Sequence, residues 1–300
     1  MSGDAVLVTG ASTGLGLETS LYLAARGFEV YASMPDLAER EMVEQAASER
    51  GVRLNALALD VTDGASIEAA VKAVVERSGG VYGLVNNAGI ALRGYFEDLL
   101  DEEVRRAFEV NVFGTMAVTR AVLPHMRAAR RGRIVIITSV GGRIGAPAVS
   151  AYSSCKFAQE GWGESLYQEV LPFNVHVSLV APAIIPTERW GVHRGYGQRA
   201  MDPASPYYAW FVASQRLTDK LVASSPTRPV HVAKAIHRAL TAKRPKLRYL
   251  VGWRAGLFVG LRRYLPGELF ERLYFGEVMR RITKAPPPAE TAGQDLPARE

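Results

Sequence analysis

Tyr152 and Lys156 lie four residues apart in a stretch whose composition predicts a helix that runs to about Leu171. This spacing places both side chains on one face of the helix. Reduction of a carbonyl needs a proton donor, and a tyrosine, whose pKa is about 10 in peptides, exchanges protons well at neutral pH only if that pKa is lowered. A neighbouring ammonium group lowers it. The pair therefore predicts chemistry at a carbonyl or hydroxyl group, with Tyr152 as the general acid/base.

Ser139 follows the strongest predicted strand, Ile134–Ile137. Doubly wound sheets bind ligands at the carboxyl ends of their strands, so we expect the serine hydroxyl at that edge. There it can polarise a carbonyl oxygen and fix its position. A Tyr-x-x-x-Lys pair alone is a weak signal, because many solvated helices contain one by chance.

A glycine-rich turn separates the first predicted strand, Ala5–Val8, from a helix-like stretch, Leu17–Arg26. Glycines let the backbone approach a pyrophosphate, and the start of the following helix offers free N–H donors and partial positive charge. Their place between a strand and a helix predicts a dinucleotide site. The expected cofactor contacts in this turn are Gly10, Ser12, Thr13, Gly14, Leu15 and Gly16.

The ends of the second and third predicted strands bear on the adenosine half of the cofactor. Met34 stands where an NAD enzyme of this type would place its acid, and Pro35 follows it where a cation would pair a 2′-phosphate. Asp60, with Val61 next to it, is placed to meet the adenine amino group. The alternative is that Asp60 only caps the end of its strand.

Apolar runs alternate with stretches of helical period along the chain. The predicted strands are Ala5–Val8, Val30–Ala32, Leu54–Leu59, Leu84–Val85, Ile134–Ile137, Val175–Val180 and Tyr249–Val251. This alternation predicts an α/β fold of the Rossmann type, a doubly wound parallel sheet of seven strands in a single domain over residues 1–284. The proline-rich residues 285–300 are expected to be a disordered tail.

Residues 186–228 interrupt the alternation with aromatic side chains and are interpreted as a lid insertion. An aromatic lid could close on an apolar ligand and exclude water, although aromatic residues also pack ordinary cores. The candidates for substrate contact are Trp190, Tyr196, Tyr207, Tyr208, Trp210 and Phe211.

The net charge of +6 is concentrated near the end of the chain, where residues 228–284 hold fourteen Lys or Arg and three Glu. This charge could be a solvated basic face, or it could mark an anionic partner such as an acidic membrane surface or an acyl-carrier protein. The apolar residues interleaved with arginines over about 253–284 fit either peripheral membrane contact or packing on the domain or on a second subunit. No nucleic-acid partner is expected, because no recognition motif accompanies the charge.

Composition limits the remaining classes. The single cysteine, Cys155, excludes a disulfide framework and a multi-cysteine metal site, and no metal is expected. The first residues show no basic stretch leading into an apolar signal core, and no apolar run approaches a transmembrane length. We therefore expect a cytoplasmic protein, with membrane association through the basic region as the alternative.

Taken together, the glycine-rich turn, Asn86–Gly89, Asn111, Ser139 and the Tyr152/Lys156 pair occur in an order that resembles a classical short-chain dehydrogenase/reductase over residues 4–187. Residues 140–166 are especially similar to the branch with 17β-hydroxysteroid and retinol dehydrogenases. That branch implies an apolar substrate, such as a steroid, retinoid, polyketide or lipid. We also expect a homo-oligomer.

The resemblance implies roles for individual residues. Tyr152 is the acid/base, Lys156 lowers its pKa and holds the nicotinamide ribose, Ser139 orients the substrate, and Asn111 holds a proton-relay water at a helix distortion. Asn86–Gly89 braces the sheet near the cofactor. Further implied cofactor contacts are Asn87, Ala88, Gly89, Tyr152, Lys156, Pro182 and Thr187.

Two departures from the family pattern matter. Ala183 stands where a glycine usually follows Pro182, which alters the turn beside the nicotinamide. Pro35 replaces the usual basic residue, which weakens the preference for NADP(H) without supplying the acid that NAD(H) needs, so NADP(H) is narrowly favoured over NAD(H). Two rival functions are a non-catalytic dinucleotide sensor and a sugar-nucleotide epimerase or dehydratase; the intact Ser139, Tyr152 and Lys156 argue against the sensor, and the glycine spacing against the epimerase.

Overall fold

The computed structural model describes residues 3–187 and 194–284. Within them, seven parallel strands form one sheet in the order β3-β2-β1-β4-β5-β6-β7. The strands are β1 (Ala5–Val8), β2 (Glu29–Met34), β3 (Asn55–Ala58), β4 (Gly83–Asn86), β5 (Gly132–Ile137), β6 (Val175–Pro182) and β7 (Arg248–Val251). The predicted Rossmann-type sheet is confirmed, with shifts of a few residues at the strand ends.

Helices connect the strands and cover both faces of the sheet. They are α1 (Gly14–Ala24), α2 (Arg40–Glu49), α3 (Gly64–Ser78), α4 (Asp101–Phe108), α5 (Thr115–Ala128), α6 (Ser150–Val170), α7 (Tyr208–Ala223), α8 (Pro229–Thr241), α9 (Ala255–Tyr264), α10 (Gly267–Phe270) and α11 (Gly276–Thr283). Two π-helical segments, Glu109–Gly114 and Glu271–Phe275, interrupt this pattern. Each lies directly between two α-helices, α4 and α5 in one case and α10 and α11 in the other.

The core has two layers because successive strand residues point to opposite faces of the sheet. One layer joins the sheet to α3, α5 and α6 through buried residues that include Leu7, Leu84, Ile134, Val71, Val118 and Leu166. The other joins it to α1, α2 and α8 through Val6, Val85, Val135, Leu23, Val43 and Ile236. Burial on both faces explains the unbroken apolar run of β5.

The strand order reverses between β1 and β4, and this is where doubly wound folds bind their ligands. The loops that leave these two strands are tied together by Thr9. Its hydroxyl accepts hydrogen bonds from the backbone N–H groups of Asn87 and Ala88, both at 3.0 Å. The glycine-rich turn and the Asn86–Gly89 motif therefore meet at one edge of the sheet.

The described part of the predicted lid packs over the β4–α4 loop. Tyr196 forms a parallel bridge with Arg93, and Tyr207 stacks on Tyr95 with ring centroids 4.8 Å apart. Phe211 is fully buried and belongs to the core, whereas Trp210 is 38% exposed. Tyr208 is partly buried at the start of α7, and Trp190 lies outside the described residues.

The basic C-terminal region folds as α9 followed by a continuous helical stretch from α10 to α11. Phe258, Phe270, Tyr274 and Phe275 pack together between these elements. Large apolar side chains lie outside this cluster, on the surface: Trp253, Leu257, Leu261, Tyr264, Leu269 and Leu273. None of the helices in residues 3–187 and 194–284 is apolar over a length that would cross a bilayer. The predicted tail, residues 285–300, is not among the described residues.

Candidate active site

Ser139 and Tyr152 come together at the carboxyl edge of β5. The Ser139 hydroxyl accepts a hydrogen bond from the N–H of Gly141 at 3.0 Å, which caps a short turn between β5 and α6. A Cβ atom placed on Gly141 would lie 3.4 Å from the serine Oγ and 3.7 Å from Cε1 of Tyr152. The two side chains therefore flank one small space, as the sequence predicts.

Lys156 lies one turn after Tyr152 on α6, with its Nζ 5.7 Å from the centre of the tyrosine ring. The lysine is 6% exposed. Its ammonium donates hydrogen bonds to the carbonyl oxygen of Ile137 and to Oε1 of Gln159, both at 2.9 Å. A buried charge needs such partners, and these hold the ammonium beside the tyrosine.

Asn111 lies in the π-helical segment Glu109–Gly114, at a helix distortion of the kind that the resemblance implies. Its side-chain amide donates to the carbonyl oxygens of Ile90 and Ala107, and its Oδ1 accepts from the N–H of Ile90 at 3.0 Å. The side chain is thereby committed to the loop after β4 and to α4. Its backbone carbonyl faces α6 instead, where Gln159 contacts it.

The glycine-rich turn has the close backbone contacts that a phosphate cradle needs. Gly10 and Gly14 adopt positive φ angles of 60° and 55°. A Cβ on Gly16 would lie 2.2 Å from the carbonyl oxygen of Gly10, and the side chain of Asn87 donates to that same oxygen at 2.7 Å. Thr13 starts α1 without a side-chain hydrogen bond to cap it. The helix N-terminus therefore presents backbone donors that suit a pyrophosphate.

The other predicted cofactor contacts of the glycine turn surround this cradle. Ser12 and Leu15 are partly exposed within it, and Ala88 lies against Gly10. Thr187 is 3.8 Å from the position of a Cβ on Gly14, so the chain after β6 passes over the turn. Gly89 lies against Asn111, whose Oδ1 would be 2.4 Å from a Cβ there. These contacts bring the glycine-rich turn next to the chain after β4 and the chain after β6.

The Pro182-Ala183 departure is accommodated by a second glycine. The N–H of Ala183 donates to the carbonyl oxygen of Val251 at 2.8 Å, so the pairing of β6 with β7 continues past Pro182. A Cβ on Gly252 would lie 2.6 Å from the Ala183 methyl group. The absence of a side chain at Gly252 therefore makes room for the extra carbon of Ala183.

The three residues predicted for the adenosine end of the cofactor differ in their surroundings. Met34 ends β2 with its side chain fully buried in the core, which spacing alone does not reveal. Asp60 accepts hydrogen bonds at one oxygen from the N–H and hydroxyl of Thr62, both at 2.8 Å, and these bonds lower the pKa of its carboxyl. This oxygen of Asp60 therefore caps the turn after β3, as the alternative interpretation of Asp60 predicts. Val61 is buried against Gly114.

A buried carboxylate to which the sequence analysis gave no role of its own fixes α6 to the sheet. Glu160 accepts a hydrogen bond from the Thr138 hydroxyl at 2.8 Å and lies 2.8 Å from Arg143 and 3.3 Å from Arg248. Its partners are Thr138 directly after β5, Arg143 in the loop after Ser139, and Arg248 in β7. Arg248 also pairs with Glu164, one turn further along α6. The network sets the position of the helix that carries Tyr152 and Lys156.

Arg93 is a second residue that sequence reasoning missed. It is 7% exposed, and burial lowers the pKa of its guanidinium, which interacts with Tyr196, Arg194 and Tyr152. The available signal was a cation directly after the apolar stretch Ile90–Leu92. The site thus contains a buried positive charge near the phenol. By contrast, burial raises the pKa of the Cys155 thiol to about 11, which leaves it protonated and unreactive.

The family model of the short chain dehydrogenase matches residues 4–194. Human retinol dehydrogenase 8 is 36% identical over 81% of this chain and 79% of its own length, and human 17-beta-hydroxysteroid dehydrogenase type 1 is 35% identical over 83% and 77%. A 3-ketodihydrosphingosine reductase of Bacteroides thetaiotaomicron is 33% identical over 84% of this chain and 89% of its own length.

Solved structures agree with this. A Burkholderia phymatum short chain dehydrogenase/reductase in complex with NAD has a TM-score of 0.75 and 26% identity, covering 87% of this chain and 93% of its own. A single-site variant of actinorhodin polyketide ketoreductase with NADPH has a TM-score of 0.73 and 29% identity, covering 85% and 97%.

The chain belongs to the short-chain dehydrogenase/reductase family. It is an oxidoreductase of hydroxyl and keto groups that uses a nicotinamide cofactor, and the resemblance to the hydroxysteroid and retinol dehydrogenase branch is confirmed. The named activities of the relatives support an enzyme over the non-catalytic sensor.

Proposed function

We propose that the protein interconverts a hydroxyl and a keto group on an apolar substrate, with Tyr152 exchanging the proton. The observation that carries this is the buried Lys156 ammonium, held beside the Tyr152 ring at the edge where Ser139 and the glycine-rich turn meet. A buried cation at this place favours the phenolate form of the tyrosine. The tyrosine can then donate and regain a proton near neutral pH.

The residues present fit a nicotinamide dinucleotide. Gly14 and Gly16 leave the space that a Cβ would fill, and the start of α1 offers backbone donors for the pyrophosphate. The nicotinamide half of the cofactor is proposed to contact Pro182, Thr187 and the Lys156 ammonium. The cofactor supplies or accepts the hydride when it is bound.

The side chains of this chain do the rest. In the reducing direction, the Tyr152 hydroxyl gives its proton to the substrate oxygen as negative charge develops there. The Ser139 hydroxyl donates a hydrogen bond to the same oxygen and fixes its position. The Lys156 ammonium stabilises the phenolate that remains on Tyr152. In the oxidising direction the phenolate takes the proton back.

Two observations support an apolar substrate. Three relatives carry names of enzymes that act on a retinoid, a steroid or a sphingoid base. The segment after β6 presents the aromatic side chains of Tyr207 and Trp210 close to Tyr95, beside the β4–α4 loop. We infer that this segment acts as the lid over the substrate, with Arg93 facing the polar end of the molecule.

NADP(H) is proposed as the preferred cofactor. At the end of β2, Met34 is buried and Pro35 carries no acid. Asp36 is exposed and accepts a hydrogen bond from the N–H of Ala38 at 2.7 Å, so its carboxylate caps its own turn. None of these three residues therefore offers a carboxylate that would bond both ribose hydroxyls and repel a 2′-phosphate.

A fluorescence assay with each reduced cofactor tests both proposals together. NADPH and NADH are offered in turn with a panel of long-chain, steroid and retinoid ketones or aldehydes, and the loss of nicotinamide fluorescence is followed. We expect turnover with at least one apolar carbonyl, and a higher kcat/KM with NADPH. Turnover confined to small polar carbonyls would contradict the substrate class, and a higher kcat/KM with NADH would contradict the cofactor preference.

The exposed apolar face of α9 is proposed to lie on an anionic membrane surface. Leu257 is 58% and Leu261 38% exposed, and the basic side chains of Arg262 and Arg263 follow them on the same helix. Apolar groups beside arginines match the boundary between acyl chains and acidic headgroups. That the protein forms a homo-oligomer stays a prediction.

Vesicle flotation tests the membrane proposal. We expect the protein to bind phosphatidylserine vesicles, to release them in high salt, and to bind neutral phosphatidylcholine weakly. Leu257→Ser with Leu261→Ser should weaken binding about tenfold or more, because each buried leucine contributes about 1.5–3 kcal/mol. Met42→Ser, at an exposed position of α2, is the matched control. A dimer that dissociates in the leucine double variant, with no vesicle binding, would assign this face to a second copy instead.

A further inference from the structure

The side chain of Gln159 connects two residues of the site without having a role in the steps above. It is 1% exposed and lies almost one helical turn after Lys156 on α6. Its Oε1 accepts a hydrogen bond from the Lys156 ammonium at 2.9 Å. Its Nε2 donates to the backbone carbonyl oxygen of Asn111 at 2.5 Å and to the hydroxyl of Thr115 at 3.1 Å.

The partners fix the orientation of this amide. An ammonium group has only donors, so it must face the amide oxygen, and a carbonyl only accepts, so it must face the amide nitrogen. The flipped amide would lose both bonds. The Thr115 hydroxyl gives its own proton to the Asn111 carbonyl at 2.8 Å, which leaves the hydroxyl oxygen to accept from Gln159. Every polar atom of the Gln159 amide thus has a partner.

The π-helical segment supplies the carbonyl that completes the bridge. Asn111 lies within Glu109–Gly114, where the backbone hydrogen-bond pattern differs from that of an α-helix. Thr115 of α5 and Gln159 of α6 both donate to its carbonyl oxygen. The helix distortion therefore connects to the Lys156 ammonium through one side chain.

We propose that Gln159 is a positioning residue, which holds the Lys156 ammonium beside Tyr152 by bridging it to the Asn111 carbonyl. The inference rests on the proposed function. A carboxamide neither takes up nor releases a proton at neutral pH, so the bridge fixes the charge without relaying protons. The amide also fills the direct line between the ammonium and the Asn111 carbonyl, where the family resemblance implies a relay water.

Replacement of the amide tests this role. Gln159→Leu keeps much of the volume but cannot bond the ammonium, whereas Gln159→Ala leaves space in which a water molecule can bond both groups. We expect the leucine variant to lower kcat about 10- to 100-fold, the usual effect of removing a hydrogen bond to a charged group. The alanine variant should lose less.

The pH profile separates positioning from packing. A less firmly held ammonium stabilises the phenolate less, so the acidic limb of alcohol oxidation should move to higher pH in the leucine variant. A packing role predicts the reverse order of activities, because alanine leaves a cavity and leucine does not. Gln168→Leu, at an exposed position of the same helix, is the control and should match the wild type. If the leucine variant does not fold, Gln159→Met takes its place, because its side chain is unbranched and its thioether sulfur is only a weak acceptor for the ammonium.

The outcomes are distinguishable. The role of Gln159 is overturned if Gln159→Leu, or Gln159→Met in its place, keeps the acidic limb of the wild-type pH profile. It is also overturned if that variant is more active than Gln159→Ala. In both cases the wild type still turns over, so the proposed function stands. Absence of turnover in both the wild type and Gln168→Leu overturns the proposed function, and this inference with it.

Discussion

Tyr152→Phe is expected to retain cofactor binding and to lose about two to four orders of magnitude in turnover, the usual contribution of a positioned general acid. The substitution removes one oxygen and leaves the ring beside Gly141 in place. Titration of nicotinamide fluorescence measures binding, and steady-state turnover with the best ketone of the panel measures the chemistry.

The control for this prediction is Tyr167→Phe, which removes a hydroxyl from a partly buried tyrosine further along the same helix. It should keep both binding and turnover. If Tyr152→Phe kept wild-type turnover, the proton would have to come from another group, and the assignment of Tyr152 would be wrong.

Gly16→Ala should have the second large effect, on cofactor affinity. The new methyl group would lie 2.2 Å from the Gly10 carbonyl oxygen and 2.6 Å from the Asn87 amide nitrogen, so the turn has to shift. A displacement of about 1 Å in an active site can cost about 100-fold in rate, so we expect weaker binding of the reduced cofactor and a loss of at least that order in kcat/KM.

Gly161→Ala is the matched change, since nothing lies within 4 Å of a Cβ at this helical position of α6. It should leave cofactor affinity unchanged and stabilise the protein by up to about 1 kcal/mol, because alanine favours the helix. Unimpaired binding by Gly16→Ala, measured at a temperature where the variant is folded, would show that the glycine-rich turn does not hold the cofactor.

Sequence reasoning reached the fold because burial on both faces of the strands leaves apolar runs that are visible without any tertiary contact. It also reached Ser139, Tyr152 and Lys156, since their places relative to strand and helix follow from spacing. The structure brings these three to one edge as expected.

Residues whose importance depends on distant partners were missed. Glu160 meets Arg248 across 88 positions of the chain, and Gln159 meets Asn111 across 48. Neither separation has a periodicity that a sequence pattern could reveal. Met34 shows the opposite difficulty, because spacing located the strand end but not the direction of the side chain, which points into the core.

The Glu160 network couples the local unfolding of the edge strand to that of the active-site helix. It binds the edge strand β7 to the helix that carries Tyr152 and Lys156, through Arg248 and Arg143. Proteins open locally in cooperative units, and we expect elements tied by this network to open together as one such unit. Local unfolding that starts at the C-terminal helices and reaches β7 would therefore also displace α6, with Tyr152 and Lys156. Catalytic activity should then be lost at a lower temperature than the one at which the central strands unfold.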